Sequence, residues 1–342
     1  MSALAGRNHA RRNNGNNNEL RFRLLFTLML AMAAAYSLTS CNKPGSAEPA
    51  KDRVAPKTFA SPQAAGQALF DAARTGDQSE LMAIFGSDGR DLIFSGDAVK
   101  DKNTAQRFVD AYSQMNRWSK SQSGDEILYI GADNFAFPIP LHRNASGQWA
   151  FNTAAGKSEV LARRIGDGEL TTIGVLSEIV NAQQEFFRQN HQFAQKFISD
   201  QGRHNGLYWP VAAGEPPSPL GHLADVAKAL GYSHSDRPQP FNGYYYRMLT
   251  QQGASAKGGA KDYLADGKLI GGFAVIAWPA KYRDSGIMTF VVNKDGVVYQ
   301  KDLGEKTAEA AVAITSYDPS KEWTMVLAPE PANATASARS GE

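Results

Sequence analysis

Few side chains able to do chemistry stand out in this 342-residue chain. Cysteine occurs once, at Cys41. Beyond it stand five histidines, His142, His191, His204, His222 and His234, none in a His-x-His or His-Glu-x-x-His spacing. Zinc sites usually draw at least two ligands from one local motif, so no metal is expected. No Gly-x-Ser-x-Gly run offers a hydrolase nucleophile. The glycines of 253–272 lack the Gly-Lys-Ser/Thr ending of a phosphate loop and the strand–glycine–helix frame of a dinucleotide site, so no cofactor is expected. Asp295, in Asn-Lys-Asp-Gly, lacks the spaced carboxylates and closing glutamate of a calcium loop. What remains is a set of aromatic and polar residues. His204, Tyr208, Trp209 and Glu215 lie in a stretch dense in Gly and Pro, near Arg203 and Ser218-Pro219, and Tyr245 and Arg247 add to them. Aromatic rings beside polar groups form a stacking platform for a sugar or a partner peptide. The same residue types also pack loops that have little regular hydrogen bonding, and this structural role is the commoner one.

Those elements depend on where the chain resides. Arg7, Arg11, Arg12, Arg21 and Arg23 precede an apolar stretch from Leu24 to about Tyr36, and small residues follow. This is the layout of a secretory signal, and the stretch is shorter than the roughly 20 apolar residues of a membrane span. The run Leu38-Thr39-Ser40-Cys41 resembles the bacterial lipobox, cut before a cysteine that carries diacylglycerol. The resemblance implies lipidation of Cys41 and anchoring by three acyl chains, where one chain binds only marginally. Asn42 replaces the aspartate that favours inner-membrane retention, so the expected address is the periplasm-facing envelope, with the outer membrane favoured over the inner.

Removal of residues 1–40 takes away five arginines and one acid, which leaves 31 basic and 33 acidic residues, a net of about −2 with histidine neutral. The sequence pI of about 8.5 belongs largely to the leader. No basic patch predicts a nucleic-acid partner. With Cys41 acylated no thiol is left, which excludes disulfides, thiolate zinc sites and thiol nucleophiles.

Residues 41–58 read as a flexible tether and 328–342 as a disordered tail, both rich in proline or small residues. Residues 59–168 read as an α+β domain. Ser61-Pro62 start a helix, a second follows Gly76-Asp77, and a third covers about Thr104–Trp118. Strands are expected at Ile127–Ile130, Phe135–Leu141 and Trp149–Phe151. Asp97, Lys100, Asp101 and Lys102 read as a solvated face. Residues 169–327 read as a second domain, a long helix over about Leu170–Ser199 followed by loops and an antiparallel meander. A short helix is expected near Leu220–Leu230. The strands are Tyr244–Leu249, Phe273–Trp278, Met288–Val292 and Val297–Gln300, with Asn293–Gly296 as a hairpin turn. Arg163-Arg164, Asp167 and Glu169 are placed to form salt bridges at the junction. The fold class is therefore α+β in two domains. The opening Ala-Ala-x-x-Leu-x-x-Ala-x-x-x-Gly-Asp is similar to nuclear-transport-factor-2-like domains, with their helix and curved antiparallel sheet. The second half resembles the soluble part of pilin-like proteins.

Several longer runs resemble one uncharacterised bacterial family, the domain of unknown function 2950. They include Phe94-Ser95-Gly96-Asp97, Phe137-Pro138-Ile139-Pro140-Leu141, Arg163-Arg164-Ile165-Gly166, Gly206-Leu207-Tyr208-Trp209-Pro210, Ser218-Pro219-Leu220-Gly221, Gly243-Tyr244-Tyr245-Tyr246-Arg247, Ala277-Trp278-Pro279-Ala280 and Tyr299-Gln300-Lys301-Asp302-Leu303-Gly304. The resemblance spans about Phe59–Trp323. It implies a lipoprotein or secreted envelope protein and assigns no activity or functional residue.

The expected function is a lipid-anchored envelope protein with a non-catalytic binding or structural role, its partner an envelope protein or glycan. The alternative is an envelope enzyme acting on a glycan or peptide through the 203–219 loop, with His204 and Glu215 as acid–base candidates.

Overall fold

A computed structural model describes residues 54–212, 214–232 and 239–326. The expected leader, Cys41, most of the tether, His234 and the tail from 328 lie outside the described residues. Among the described residues no helix is long and apolar enough to cross a membrane.

The chain is already fastened at the end of the expected tether. Lys57 N donates to Ala83 O at 2.9 Å, and Ser87 N to Val54 O at 3.0 Å. Helix α1 (Pro62–Thr75) begins where Ser61 Oγ accepts from Ala64 N, and it ends at Gly76 in the left-handed region. Helices α2 (Gln78–Phe85), α3 (Arg90–Ile93) and α4 (Ala98–Gln114) follow. The third long helix thus starts six residues before the expected Thr104, because Asp97 supplies its cap. Trp118, expected to end that helix, lies instead in a strand.

The first sheet is antiparallel, ordered β1 (Asn116–Lys120), β2 (Glu126–Ile130), β4 (Leu141–Arg143), β5 (Trp149–Phe151), with β3 (Phe135–Ala136) also paired to β2. The continuous strand expected over Phe135–Leu141 is split. Pro138 and Pro140 have no amide hydrogen to give a ladder. Phe59, Leu69, Ile84, Phe85, Leu141 and Phe151 form the core between these helices and strands.

Helix α5 runs unbroken over Thr153–Asn190, not Leu170–Ser199. Asn152 caps it through Ala155 N, and His191, at φ 53°, ends it in the left-handed region. Phe193 and Ile198, inside the expected helix range, instead make extended bridges to Leu269 and Tyr208. The helix passes straight through 168–169 and serves two cores. Val160 packs on the first, while Val175, Leu176, Ile179, Val180 and Phe186 enter the second.

Helix α6 (Gly221–Ala229) interrupts the loops, and β6 (Tyr244–Leu249) opens the second large sheet. Small hairpins β7 (Gln251–Gln252) with β8 (Lys261–Asp262), and β9 (Leu264–Ala265) with β10 (Lys268–Leu269), precede β11 (Ala274–Pro279), β12 (Met288–Asn293) and β13 (Val298–Asp302). After α7 (Thr307–Ala313), β14 (Thr324–Met325) completes the order β14-β13-β12-β11-β6, antiparallel throughout. The α+β class holds, with open antiparallel sheets. Paired residues share a face. One face of β6 presents Tyr244 and Tyr246, and Tyr246 Oη donates to Thr172 Oγ1 of α5 at 3.2 Å. The opposite face presents Tyr245 and Arg247, and Arg247 reaches α7.

Candidate functional site

The densest polar chemistry lies where α4, α5, the 242–243 turn and the β11–β12 loop meet. Gly96, at φ 91°, turns the chain into α4. Asp97 then accepts from Val99 N at 3.1 Å and Lys100 N at 3.0 Å through Oδ1. Its Oδ2 accepts from Tyr232 Oη at 2.6 Å and Gly243 N at 2.9 Å. With Asp97 only 2% exposed, these four donors replace the water its charge would otherwise need. Burial and the bond to Asp97 push the Tyr232 hydroxyl far above the ordinary phenol range.

Around Asp97 the charges interlock. Lys100 Nζ pairs with Asp167 at 2.9 Å. Asp101 accepts from Ser95 Oγ at 2.5 Å and from Ser95 N, yet burial holds its carboxyl above the usual range. Arg164 binds Asp284, and donates to Asp91 O at 2.6 Å and Leu92 O at 2.5 Å. Asp91 lies between Lys157 at 2.8 Å and Lys281 at 2.9 Å, and hydrogen bonds from these two lower its pKa to about 2. Glu169 Oε1 accepts from Ile287 N at 2.9 Å and Met288 N at 3.0 Å.

The expectation of a solvated face at 97–102 is therefore corrected. Asp97 and Lys100 are buried, Asp101 is half-buried, and only Lys102 is exposed. Their partners lie up to 146 residues away, beyond the reach of any local pattern. Of the expected junction bridges, only that of Arg164 crosses between the halves, to Asp284. Asp167 pairs with Lys100 within the first half, Glu169 accepts backbone N–H groups within the second, and Arg163 pairs with Glu159 on its own helix. Two glycines allow close approaches here. A Cβ on Gly168 would lie 2.5 Å from Ser285 O, and one on Gly286 would lie 1.9 Å from Tyr244 Oη. The acids and bases of this cluster all hold partners. The chemistry of these paired groups is that of a fastening.

The aromatic loop has a different character. Exposed His204 lies flat on half-buried Trp209, with ring centroids 4.3 Å apart and planes 14° apart. Tyr208 N donates to Phe197 O at 2.8 Å and Ser199 N to Tyr208 O at 2.8 Å, which holds this segment against residues 197–199. Tyr208 and Trp209 also pack against the second core, so part of each ring is structural. Gly206 permits the approach, since a Cβ there would lie 2.7 Å from Ile198 C. Glu215 is exposed and accepts from Ala212 N at 3.1 Å, closing its own turn. Among the described residues no hydrogen bond or ion pair joins His204 to Glu215.

Tyr245 and Arg247 are engaged elsewhere. Tyr245 packs on Trp278 at 5.7 Å, and Arg247 donates to Ala311 O at 2.9 Å, Ile314 O at 2.6 Å and Val312 O at 3.2 Å. Arg247 thus closes the C-terminal carbonyls of α7, which helix geometry leaves unpaired. His142 pairs with Asp125 at 3.0 Å. Among the described residues no group of three or more His, Cys, Asp or Glu is placed to hold a metal.

A family model described as "Protein of unknown function (DUF2950)" matches residues 56–326. The chain belongs to this family. No curated protein and no solved structure matches it. In this DUF2950 chain, three of the runs that carry the resemblance, Phe94–Asp97, Arg163–Gly166 and Gly243–Arg247, meet in the interlocked cluster around Asp97. The Gly206–Pro210 and Ser218–Gly221 runs are joined by the bond from Leu220 N to Leu207 O at 2.9 Å. Sequence reasoning missed Tyr232 and Asp284 as parts of the cluster. Asp97 itself carried a signal, an acid followed by a helical run, which is the pattern of an N-cap.

Proposed function

We propose that this chain is a lipid-anchored envelope protein, held through Cys41 and facing the periplasm, that binds a glycan or an envelope protein without turning it over. The observation that carries the binding part is the His204–Trp209 stack. It sets a polarisable imidazole face outward on a loop that backbone bonds fix against residues 197–199. A pre-ordered aromatic surface loses little entropy on binding and suits the apolar face of a sugar ring or a peptide side chain. The anchoring part rests on the Leu38–Cys41 run and the leader before it.

Two measurements test this reading. Incorporation of labelled fatty acid is expected in the intact protein and absent from a Cys41→Ala variant; equal labelling of both would refute the anchor. Glycan-array and cross-linking signals from the intact chain are expected to fall at least tenfold on Trp209→Ala and on His204→Ala, with the thermal transition of His204→Ala unchanged. Signals unaffected by either substitution would remove the loop as the binding surface.

A further inference from the structure

A second surface, independent of the aromatic loop, has the charge and shape of a ligand site. The turn between β7 and β8 and the turn between β12 and β13 enclose an open cleft of roughly 370 Å³ lined by Gln252, Lys257, Lys261, Asn293, Lys294 and Asp295. That volume falls within the range of small-molecule sites. Its floor is fixed. Buried Gln252 donates to Gly259 O at 2.6 Å and Lys257 O at 3.1 Å, and accepts from Tyr263 Oη at 2.7 Å. Asn293, also buried, accepts from Asp295 N at 3.0 Å. Gly258 and Gly259 take φ values of 91° and 76°, which the tight turn under Lys257 requires and which L side chains rarely adopt.

Three ammonium groups stand against a single carboxylate. Lys261 is steadied by Gly271 O at 2.9 Å, and Gly271 permits this because a Cβ there would already lie 3.2 Å from Lys261 Cε. Lys294 pairs with Asp295 at 3.1 Å. Lys257 is exposed, and its ammonium has no hydrogen-bond or ion-pair partner among the described residues. The Lys294 bond lowers the pKa of Asp295 below the ordinary carboxylate range, and the charge of Lys257 adds to this. The Gln252 amide already occupies the carbonyls of Lys257 and Gly259, so these acceptors do not offset the positive field.

We propose that this cleft binds a phosphate-bearing ligand. Lysine meets phosphate as a compact point charge, and no arginine lines the cleft to offer the planar fork that matches a carboxylate. The phosphate can come from a soluble phosphorylated molecule or from a lipid headgroup.

The probe is pyrophosphate, titrated by calorimetry into the full chain in neutral detergent at low salt, where screening is weak. Saturable binding is expected. Lys257→Gln and Lys294→Gln are each expected to weaken it about tenfold, and Lys321→Gln to leave it unchanged. All three positions are exposed, and unchanged thermal unfolding verifies that the fold is intact. Absence of binding both to pyrophosphate and to phosphatidylglycerol vesicles above a phosphatidylcholine control overturns the proposal. So does binding that neither lysine substitution alters, or malonate binding as tight as pyrophosphate. Pyrophosphate binding alone assigns a soluble source. Vesicle retention alone, lost in Lys257→Gln, assigns a headgroup. Failure of the aromatic loop to bind leaves these outcomes unaffected, since none involves Trp209 or His204.

Discussion

Tyr232 donates its hydroxyl hydrogen to Asp97 at 2.6 Å across 135 residues of sequence, and the same hydroxyl accepts from Asn242 N at 3.1 Å. One side chain thereby ties the end of the α6 region to the cap of α4 and to the start of β6. Hydrogen bonds to a charged group contribute about 1.5–3 kcal/mol each. Tyr232→Phe is expected to cost an amount in that range in urea unfolding, while Asp97→Ala, which also uncaps α4 and orphans Gly243 N, costs more. Equal stability of Tyr232→Phe and wild type would show that the latch contributes nothing.

The Arg164–Asp284 pair is mostly buried, with side-chain exposures of 13% and 4%. Removing Arg164 leaves mostly buried Asp284 with Lys281 alone, at 2.6 Å, and breaking a buried pair typically costs about 3–5 kcal/mol. Arg164→Met is expected to lose stability of that order. The double variant Arg164→Met/Asp284→Leu is expected to regain part of it, because neither charge is then left unpaired. A double-mutant cycle in urea checks both.

Asp91 supplies an acid-side dependence whose sign is fixed. Its folded pKa of about 2 lies below the ordinary value of 3.8. Its contribution is therefore fully present above the unfolded value and is lost as pH falls through the window from 3.8 to about 2. Asp101 acts in the opposite sense, since its raised folded pKa favours the folded state as it takes up a proton. Asp91→Asn should flatten the acid limb of a stability–pH curve, and Asp101→Asn should steepen it. Because Asp91 is more than a third exposed, solvent screening keeps its effect small.

Gly286→Ala tests the close approach over Tyr244. The new methyl would stand 1.9 Å from Tyr244 Oη, and the fully buried ring cannot swing clear. Overpacking of this kind costs typically 1–3 kcal/mol. The expected result is a lowered urea midpoint, with far-ultraviolet circular dichroism unchanged below the transition.

Local chemistry in the sequence specified the elements well where the decisive groups are neighbours. Ser61-Pro62 opened α1 as expected, Tyr244–Leu249 formed a strand with those bounds, and the 293–296 turn closed a hairpin with Gly296 at φ 79°. Helix α5 starts at Thr153, well before the expected Leu170, and it carries Gly166 and Gly168 in its interior although each costs a helix about 1 kcal/mol. Gly168 is glycine for another reason, to admit Ser285 O, and Gly156 likewise admits Pro138 O at 2.7 Å from its would-be Cβ. The cluster around Asp97 was illegible as a site because its donors come from residues 232 and 243, which no periodicity connects to it. The His204–Trp209 proximity was legible from five residues of spacing, whereas the duty of Arg247 on α7 required knowing which helix lies over the sheet.

The unbroken span of α5 has a mechanical consequence. Thirty-eight residues at 1.5 Å each make a beam of about 57 Å whose two ends are buried in different cores. A load applied near residue 54 reaches the second sheet through this beam without crossing a hinge. Neither half of the chain can shed its share of the helix and keep its own core closed. The described region should therefore yield to force or to denaturant in one step, and a cut anywhere in 153–190 should forfeit both halves.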